Sequence, residues 1–254
     1  FWLRYMAMDQ PLNGLRVLVT RPEGQAKTLS ERLSGLGAYV VSLPVIEVVP
    51  IASTSWAEID ISAQDMLIFV SRNAVTSFMA NVDSTMLANK QCVAVGAATA
   101  HCMIESGLSV DIQAPPPAGS ESLVAMPEMQ DMVSKRVLIV RGETGRELLA
   151  ETLVARGATI SYLDVYRRCL PTYDTQRIDE ALQADWLIVT SVAGLENLCQ
   201  IVNNDAIKLK VLLVVSTRIE QVAKELGFQH VVVTNDVNDD AVINRIVEIG
   251  QKNG

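Results

Sequence analysis

Apolar residues along this chain come in two rhythms. Continuous short apolar runs read as buried strands, and apolar positions three and four apart read as one face of a helix. LRVLVT (15–20), MLIFVS (66–71), CVAVG (92–96), RVLIV (136–140), WLIVTS (186–191), KVLLVVS (210–216) and HVVVTN (230–235) are of the first kind, with VDI (110–112) a shorter one. AKTLSERLSGLG (26–37) is of the second: Leu29, Leu33 and Leu36 fall at i, i+4 and i+7, and Gly37 stands where a helix would stop. Further helices are predicted from about Asn73, over ATAHCMIESG (98–107), from Ser120 as N-cap of SESLVAMPEM (120–129), and over GRELLAETLVARG (145–157). AGLENLCQIV (193–202), RIEQVAKELG (218–227) and DDAVINRIVEIG (239–250) complete the set. YVVSLPVIEVVP (39–50) and TISYLDVYRRCL (159–170) read as extended, and PPPAGS (115–120) as a stiff loop. Strands separated by single helices imply right-handed βαβ crossovers, parallel sheets and an α/β fold.

The pattern occurs twice. Arg16–Glu47 laid on Arg136–Arg167 without a gap, an offset of 120, gives 12 identities in 32 positions. The same offset lays Asp65–Ser71 on Asp185–Ser191, Lys90–Gly96 on Lys210–Ser216, and Gly107 on Gly227. A solenoid unit runs at roughly 20–50 residues, so this period is that of a domain. Two similar lobes follow, each a small doubly wound parallel sheet flanked by helices. The repeat by itself suggests one lobe before Lys135 and the other after it.

Composition narrows the chemistry. Apolar residues make up 49% of the chain with few aromatics, which suits buried parallel strands. A net charge of −8 argues against nucleic acid and anionic membrane as partners. No apolar run reaches the roughly 18–20 residues of a membrane span, and FWLRYMAMDQ lacks the apolar core of a signal peptide. Residues 1–11 read as an extension, with folding beginning near Leu12. Cys92, Cys102, Cys169 and Cys199 show no metal-like spacing and read as buried free thiols of a reducing, cytoplasmic compartment.

In an open parallel sheet, ligands bind outside the carboxyl ends of the strands. Those ends are Thr20-Arg21-Pro22, Ser71-Arg72-Asn73, Gly96 to Thr99, Arg141-Gly142-Glu143, Thr190-Ser191 and Ser216-Thr217-Arg218. Each combines small, hydroxyl or arginine residues with the start of a helix, whose free N–H groups and dipole favour an anion. A hydroxyl at one such turn is ordinary capping. Six together, with arginines among them, point to an anionic ligand. Arg21 and Arg141 are repeat equivalents that could instead pair with Glu23 or Glu143. Dinucleotide, phosphate-loop and nucleophile-elbow motifs are missing, and His101 and His230 have no ligand-like neighbours. No metal or cofactor is expected.

The array VLVTRP (17–22), VSRNAV (70–75), AVGAATA (94–100), GSESLV (119–124), LIVRGETGRELL (138–149), DVYRR (164–168) and VTSVAGLENL (189–198) resembles the bacterial uroporphyrinogen-III synthase family. The resemblance implies one domain from 12–43 plus 171–254, another from 49–164, and a two-stranded linker of 44–48 and 165–170. It implies a cofactor-free lyase of heme biosynthesis that closes over hydroxymethylbilane, a linear tetrapyrrole with eight carboxylates; a monomer is expected, because a flexible two-lobed clamp needs no partner. Water is lost, the last pyrrole ring is inverted, and uroporphyrinogen III forms. Tyr166 corresponds to the family's tyrosine proposed to help the hydroxyl leave, since a free phenol is protonated at neutral pH and can donate. Thr99, Ser71 and Ser191 match the family's hydroxyls at strand ends. Ser216-Thr217-Arg218 departs from the family's glycine-and-threonine turn, which leaves Ser216 and Arg218 as backbone and charge contacts. Thr20, Arg21, Arg72, Ser120, Arg141 and Gly142 complete the expected substrate contacts. The rival reading is a non-catalytic two-lobed protein that binds a small anion. A pair of receiver-like domains is set aside, because Thr20-Arg21 and Val140-Arg141 stand where an acidic cluster would be needed.

Overall fold

The computed structural model describes residues 10–56, 59–145, 147–234 and 236–250. Most of the predicted extension, residues 1–11, lies outside them. Two compact units divide the chain: Phe1–Glu47 with Cys169–Gly254, and Val48–Arg168. The first unit holds β1 (Arg16–Val19), α1 (Glu23–Gly35) and β2 (Tyr39–Ser42), then α6 (Thr175–Leu182), β9 (Trp186–Val189), α7 (Val192–Val202), β10 (Val211–Val214), α8 (Thr217–Glu225), β11 (His230–Val233) and α9 (Asp239–Gly250). The second holds β4 (Met66–Phe69), α2 (Arg72–Met79), β5 (Gln91–Ala94), α3 (Ala97–Glu105), β6 (Ile112–Gln113), α4 (Ser120–Val124), β7 (Arg136–Gly142) and α5 (Leu148–Ala155). The chain passes between units inside β3 (Glu47–Pro50) and β8 (Thr159–Cys169), which are neighbours in one sheet.

Each sheet is a hybrid of the two copies. The first runs β11-β10-β9-β1-β2 and the second β3-β8-β7-β4-β5-β6. Under the offset of 120, β9, β10 and β11 answer to β4, β5 and β6, and β7 and β8 to β1 and β2. So both sheets have the same plan, and in each the copies meet at one parallel seam. Val17, Leu18 and Val19 lie beside Trp186, Leu187 and Ile188 in the first. Met66 to Phe69 lie beside Val137 to Val140 in the second. A repeated clasp opens each seam. Arg16 N–H donates to the Asp185 carboxylate at 2.8 Å and Asp185 N–H to the Arg16 carbonyl at 2.9 Å. Arg136 and Asp65 repeat both bonds at 2.8 and 2.9 Å, and the Arg136 guanidinium adds a contact at 3.2 Å.

Alternation along the strands loads both faces of each sheet. In the second unit Leu67, Phe69, Leu138, Val140 and Leu163 pack with Ala74, Val75 and Phe78 of α2. Met66, Ile68, Val137 and Ile139 pack on the other face with Leu149 and Leu153 of α5. In the first unit Leu18, Leu187 and Leu212 meet Leu195 and Leu198 of α7, while Val17, Val19 and Ile188 meet Leu29 and Leu33 of α1. Each fully buried leucine side chain contributes about 1.5–3 kcal/mol. Gly37 ends α1 as predicted, at φ +96°, with Ala38 N–H reaching the Leu33 carbonyl at 3.1 Å.

Two local expectations are corrected, and one helix is new. The helix predicted over 145–157 begins at Leu148, and β7 continues to Gly142. Ser120 is the first residue of α4 and not its cap; Gly119 turns the chain there at φ +146° and bonds the Val95 carbonyl at 3.0 Å. The short α6, capped by Asp174 accepting from Arg177 N–H at 2.8 Å, was not predicted, since it buries only Ala181.

The clasp carries a pH signature. Hydrogen bonds from the Arg136 side chain, then from its backbone N–H, hold the Asp65 carboxyl below the usual carboxylate range. A carboxyl lowered in the native state stabilises fully above its unfolded value near pH 4, and that contribution is lost as pH falls through the native value. Asp65→Asn is therefore expected to flatten the acid limb of a urea-denaturation series below about pH 4. Superimposable acid limbs for the two proteins would show that the clasp sets register alone.

Candidate active site

Tyr166 is built into the carboxyl end of the second sheet. β7 and β8 pair in regular parallel register from Arg136↔Thr159 to Arg141↔Asp164, and the next pair is Gly142↔Tyr166. Val165 is the extra residue of a β-bulge, a device that re-aims a side chain. Leu163 and Val165 face the α2 side, so simple alternation would send Tyr166 to the other face. The bulge instead puts Tyr166 in the cluster with Leu163, Val165 and the α2 residues, 4% exposed. Glu143 N–H locks the turn on the Tyr166 carbonyl at 2.8 Å.

Gly142 makes room for the ring. A Cβ there would lie 2.7 Å from Tyr166 Cζ and 2.8 Å from Cε2, closer than such atoms come. The phenol oxygen lies 3.2 Å from Ser71 Oγ. Ser71 itself is the N-cap of α2, with its Oγ accepting from Ala74 N–H at 3.1 Å. Three elements (β4 with its helix, β7 and β8) therefore converge on one pair of hydroxyls.

The other predicted residues separate into structural and open sets. Thr20 is buried, and its hydroxyl donates to the Ile188 carbonyl at 2.7 Å across the β1–β9 seam. Arg21 is 9% exposed and bonds Asp239 at 2.5 Å and the Val237 carbonyl at 2.9 Å, tying β1 to the start of α9. Arg141 and Gly142 lie in β7 and not in a turn that opens a helix, which corrects the predicted strand end. Arg141 bonds Asp164 and Glu147, each at 3.0 Å, and its guanidinium lies 3.7 Å from the Tyr162 ring centroid. The partners of both arginines differ from the Glu23 and Glu143 that proximity in sequence suggested. Tyr162 also donates to Glu147, and that bond, followed by Arg141, holds the Glu147 carboxyl low.

Ser191 and Ser216 cap α7 and α8, accepting from Gly194 N–H at 3.0 Å and Ile219 N–H at 3.4 Å. Thr99 is buried in the first turn of α3, whose cap Gly96 is needed because Ala118 would stand 2.5 Å from any Cβ there. Ser120 lies half-buried at the start of α4. His101 is exposed and faces Glu105 at 3.3 Å. Burial pushes the Cys92 thiol up to about 11, so it stays protonated at neutral pH.

The charges are sorted by partner. Arg32, Arg136, Arg177 and Arg245 pair with carboxylates, as Arg21 and Arg141 do. Arg16 bonds Gln183, and Arg156 bonds backbone carbonyls. Among the described residues, Arg72, Arg167, Arg168 and Arg218 are exposed, with guanidinium groups in no ion pair or hydrogen bond. All four stand at carboxyl ends of strands: after β4, at the end of β8, and after β10. Arg168 also lies over the Tyr166 ring, 5.9 Å from its centroid. Sequence reasoning had Arg72 and Arg218 but passed over Arg167 and Arg168, although DVYRR places both directly after the tyrosine.

Two doubly wound units with serine-capped helices and arginines free of ion pairs at their strand ends define a class: an α/β protein whose strand-end turns have the donors and charge that suit an anion. The comparisons narrow it. Residues 27–244 match the family described as uroporphyrinogen-III synthase HemD, and the chain belongs to that family. It is 32% identical over 251 residues to the uroporphyrinogen-III synthase of Salmonella typhimurium, covering 91% of this chain and 100% of that one. It is 30% identical over 245 residues to that of Escherichia coli, with coverage of 91% and 100%. The Helicobacter pylori uroporphyrinogen-III synthetase structure has the same fold at TM-score 0.65 and 17% identity, covering 92% of this chain and 99% of that one. A mutant uroporphyrinogen III synthase of Thermus thermophilus follows at TM-score 0.58 and 19% identity, with coverage of 95% and 100%. No helix among the described residues is long and apolar enough to cross a membrane.

Gly142→Ala is expected to push the Tyr166 ring from its notch at a cost of about 1–3 kcal/mol. Turnover should fall further than that loss of stability explains, measured as kcat alongside a urea melt. Unchanged kcat in a folded variant would mean that the ring position does not matter.

Proposed function

We propose that this chain closes hydroxymethylbilane to uroporphyrinogen III, with loss of water and inversion of the last pyrrole ring, and that Tyr166 assists departure of the hydroxyl. Family membership supports the reaction. The observation that carries the assignment within this chain is the phenol at the end of β8, flanked by arginines without acid partners. As the hydroxymethyl C–O bond breaks, electrons from the adjacent pyrrole replace the leaving group, and the departing oxygen takes a proton from the phenol. The proton released when the closed ring regains aromaticity restores Tyr166. A side chain needs only to donate and then accept one proton, which general acid–base catalysis supplies.

The substrate's carboxylates call for cations and N–H donors. In the second unit we assign them to Arg72, Arg167, Arg168 and the turns at Thr99 and Ser120, where the sequence pattern puts hydroxyls at helix starts. In the first, the Ser191 and Ser216 turns and Arg218 fill the same role. Arg21 and Arg141 keep their structural partners and act by holding strand ends in place. Holding a flexible tetrapyrrole in the geometry for inverted closure supplies much of the rate. We also assign the reaction to the cytoplasm, a reading supported by four cysteines without disulfides, and to a monomer. Light scattering is expected to give the monomer mass; a stable dimer would overturn that assignment.

The deciding assay supplies freshly generated hydroxymethylbilane in metal-free buffer with chelator, followed by oxidation and separation of porphyrin isomers. Isomer III is expected, with Tyr166→Phe lowering kcat on the order of 100-fold and KM little. Arg168→Ala should raise KM by about threefold to tenfold, as for an exposed charge-assisted contact. Isomer I alone, the spontaneous product, would return the chain to the two-lobed binding protein.

A further inference from the structure

We propose that Ser71 is a positioning residue for Tyr166: its hydroxyl donates to the phenolic oxygen and leaves the phenol's own proton free to point at the leaving group. The inference rests on the catalytic reading of Tyr166 and adds the direction of a hydrogen bond. A serine hydroxyl has one proton and two lone pairs. One lone pair of Ser71 is taken by Ala74 N–H at 3.1 Å. The Tyr166 oxygen stands 3.2 Å away, so one of the two hydroxyls must donate to the other. If the phenol donated to Ser71, its proton would be occupied and unavailable for chemistry. Ser71 sits at the positive end of α2 and already accepts from a backbone N–H, and both effects draw electron density from its oxygen. Both effects weaken Ser71 as an acceptor and strengthen it as a donor, which offsets the phenol's greater intrinsic acidity.

The other copy of the repeat is an internal comparison. Ser191, the equivalent of Ser71, caps α7 in the same way, accepting from Gly194 N–H at 3.0 Å. The equivalents of Tyr166 and Gly142 are Ile46 and Pro22. Helix capping thus accounts for the serine in both copies. It does not account for the phenol, the glycine notch beneath it or the bulge that turns it toward Ser71, which occur in one copy only. The second unit has a hydroxyl pair at a cap that both copies share.

The test compares Ser71→Ala, Ser71→Gly, Ser71→Thr, Tyr166→Phe and the Ser71→Ala/Tyr166→Phe double variant, with kcat and KM measured on hydroxymethylbilane. Glycine keeps a good N-cap while removing the hydroxyl, so it guards against a variant that fails to fold. Ser191→Ala, followed by thermal melting alone, gives the stability lost with a cap. Ser71→Gly and Ser71→Ala are expected to lower kcat about tenfold at nearly constant KM, and Ser71→Thr to recover most of it. The double variant should be no slower than Tyr166→Phe. Raman difference spectra against Tyr166→Phe should report a phenol that accepts a hydrogen bond, and that signature should vanish in Ser71→Gly. Additive losses in the double variant, or a phenol that donates to Ser71 in the Raman spectrum, would overturn the proposal. Full kcat in Tyr166→Phe would instead remove the catalytic reading of Tyr166, and the spectra would still decide the direction of the bond.

Discussion

Everything in this protein hangs on the parallel seam where the two copies of the repeat meet. In each sheet the strand that opens one copy lies against a strand of the other, β1 on β9 and β7 on β4. Both faces of these strands are buried, so a slip of one residue would exchange their entire inner and outer sets. The aspartate clasps at Asp65 and Asp185 exclude that slip. Each engages the arginine opposite through a carboxylate and a backbone N–H, at the first residue of the seam. The clasp residues are largely solvent-facing, and surface ion pairs add little stability. Their value is register.

Register is what the site requires. Within each sheet the register of the seam fixes where its strands end, and the helices that follow start from there. An acidic chain can then accept a polyanion because its charges are sorted. The carboxylates Asp164, Glu147 and Asp239 are already engaged by Arg141 and Arg21. Among the described residues, the arginines whose guanidinium groups have neither an ion pair nor a hydrogen bond are those at strand ends. Net charge describes the surface as a whole, while a ligand meets the local field. Arg21 and Arg141 show the division of labour: one repeat position, two different sets of partners, and a structural task in both.

Most elements were legible because the two periodicities are strong where the chain is buried. The strands around Leu67, Leu138, Leu187 and Leu212 were found within a residue or two, and the Gly37 stop was placed correctly. What escaped had weak local signals. α6 is short and polar, and its one buried residue leaves almost no apolar stripe. Ser120 had the composition of a cap, but the backbone turn fell one residue earlier, where Gly119 can take a positive φ. Of the proposed contacts, Ser71, Arg72 and Arg218 were expected from their place after strands, and Tyr166 from the resemblance. Arg167 and Arg168 became visible only when the described arginines with partners had been set apart from those without.

The amino-acid pattern by itself determined the α/β class, the duplication and the set of strand ends where a ligand would lie, because alternation and spacing are local properties. It left open which copy supplies which strand, since exchange of the first βα unit preserves every spacing. It also left open the face of Tyr166. Alternation along β8 assigns that ring to the side of Tyr162 and Asp164. The extra residue at Val165 turns it to the side of α2, into the notch at Gly142 and onto Ser71. A bulge is set by hydrogen bonds to the neighbouring strand, and no run of residues within β8 records it. Only the packed sheet could decide where the phenol points.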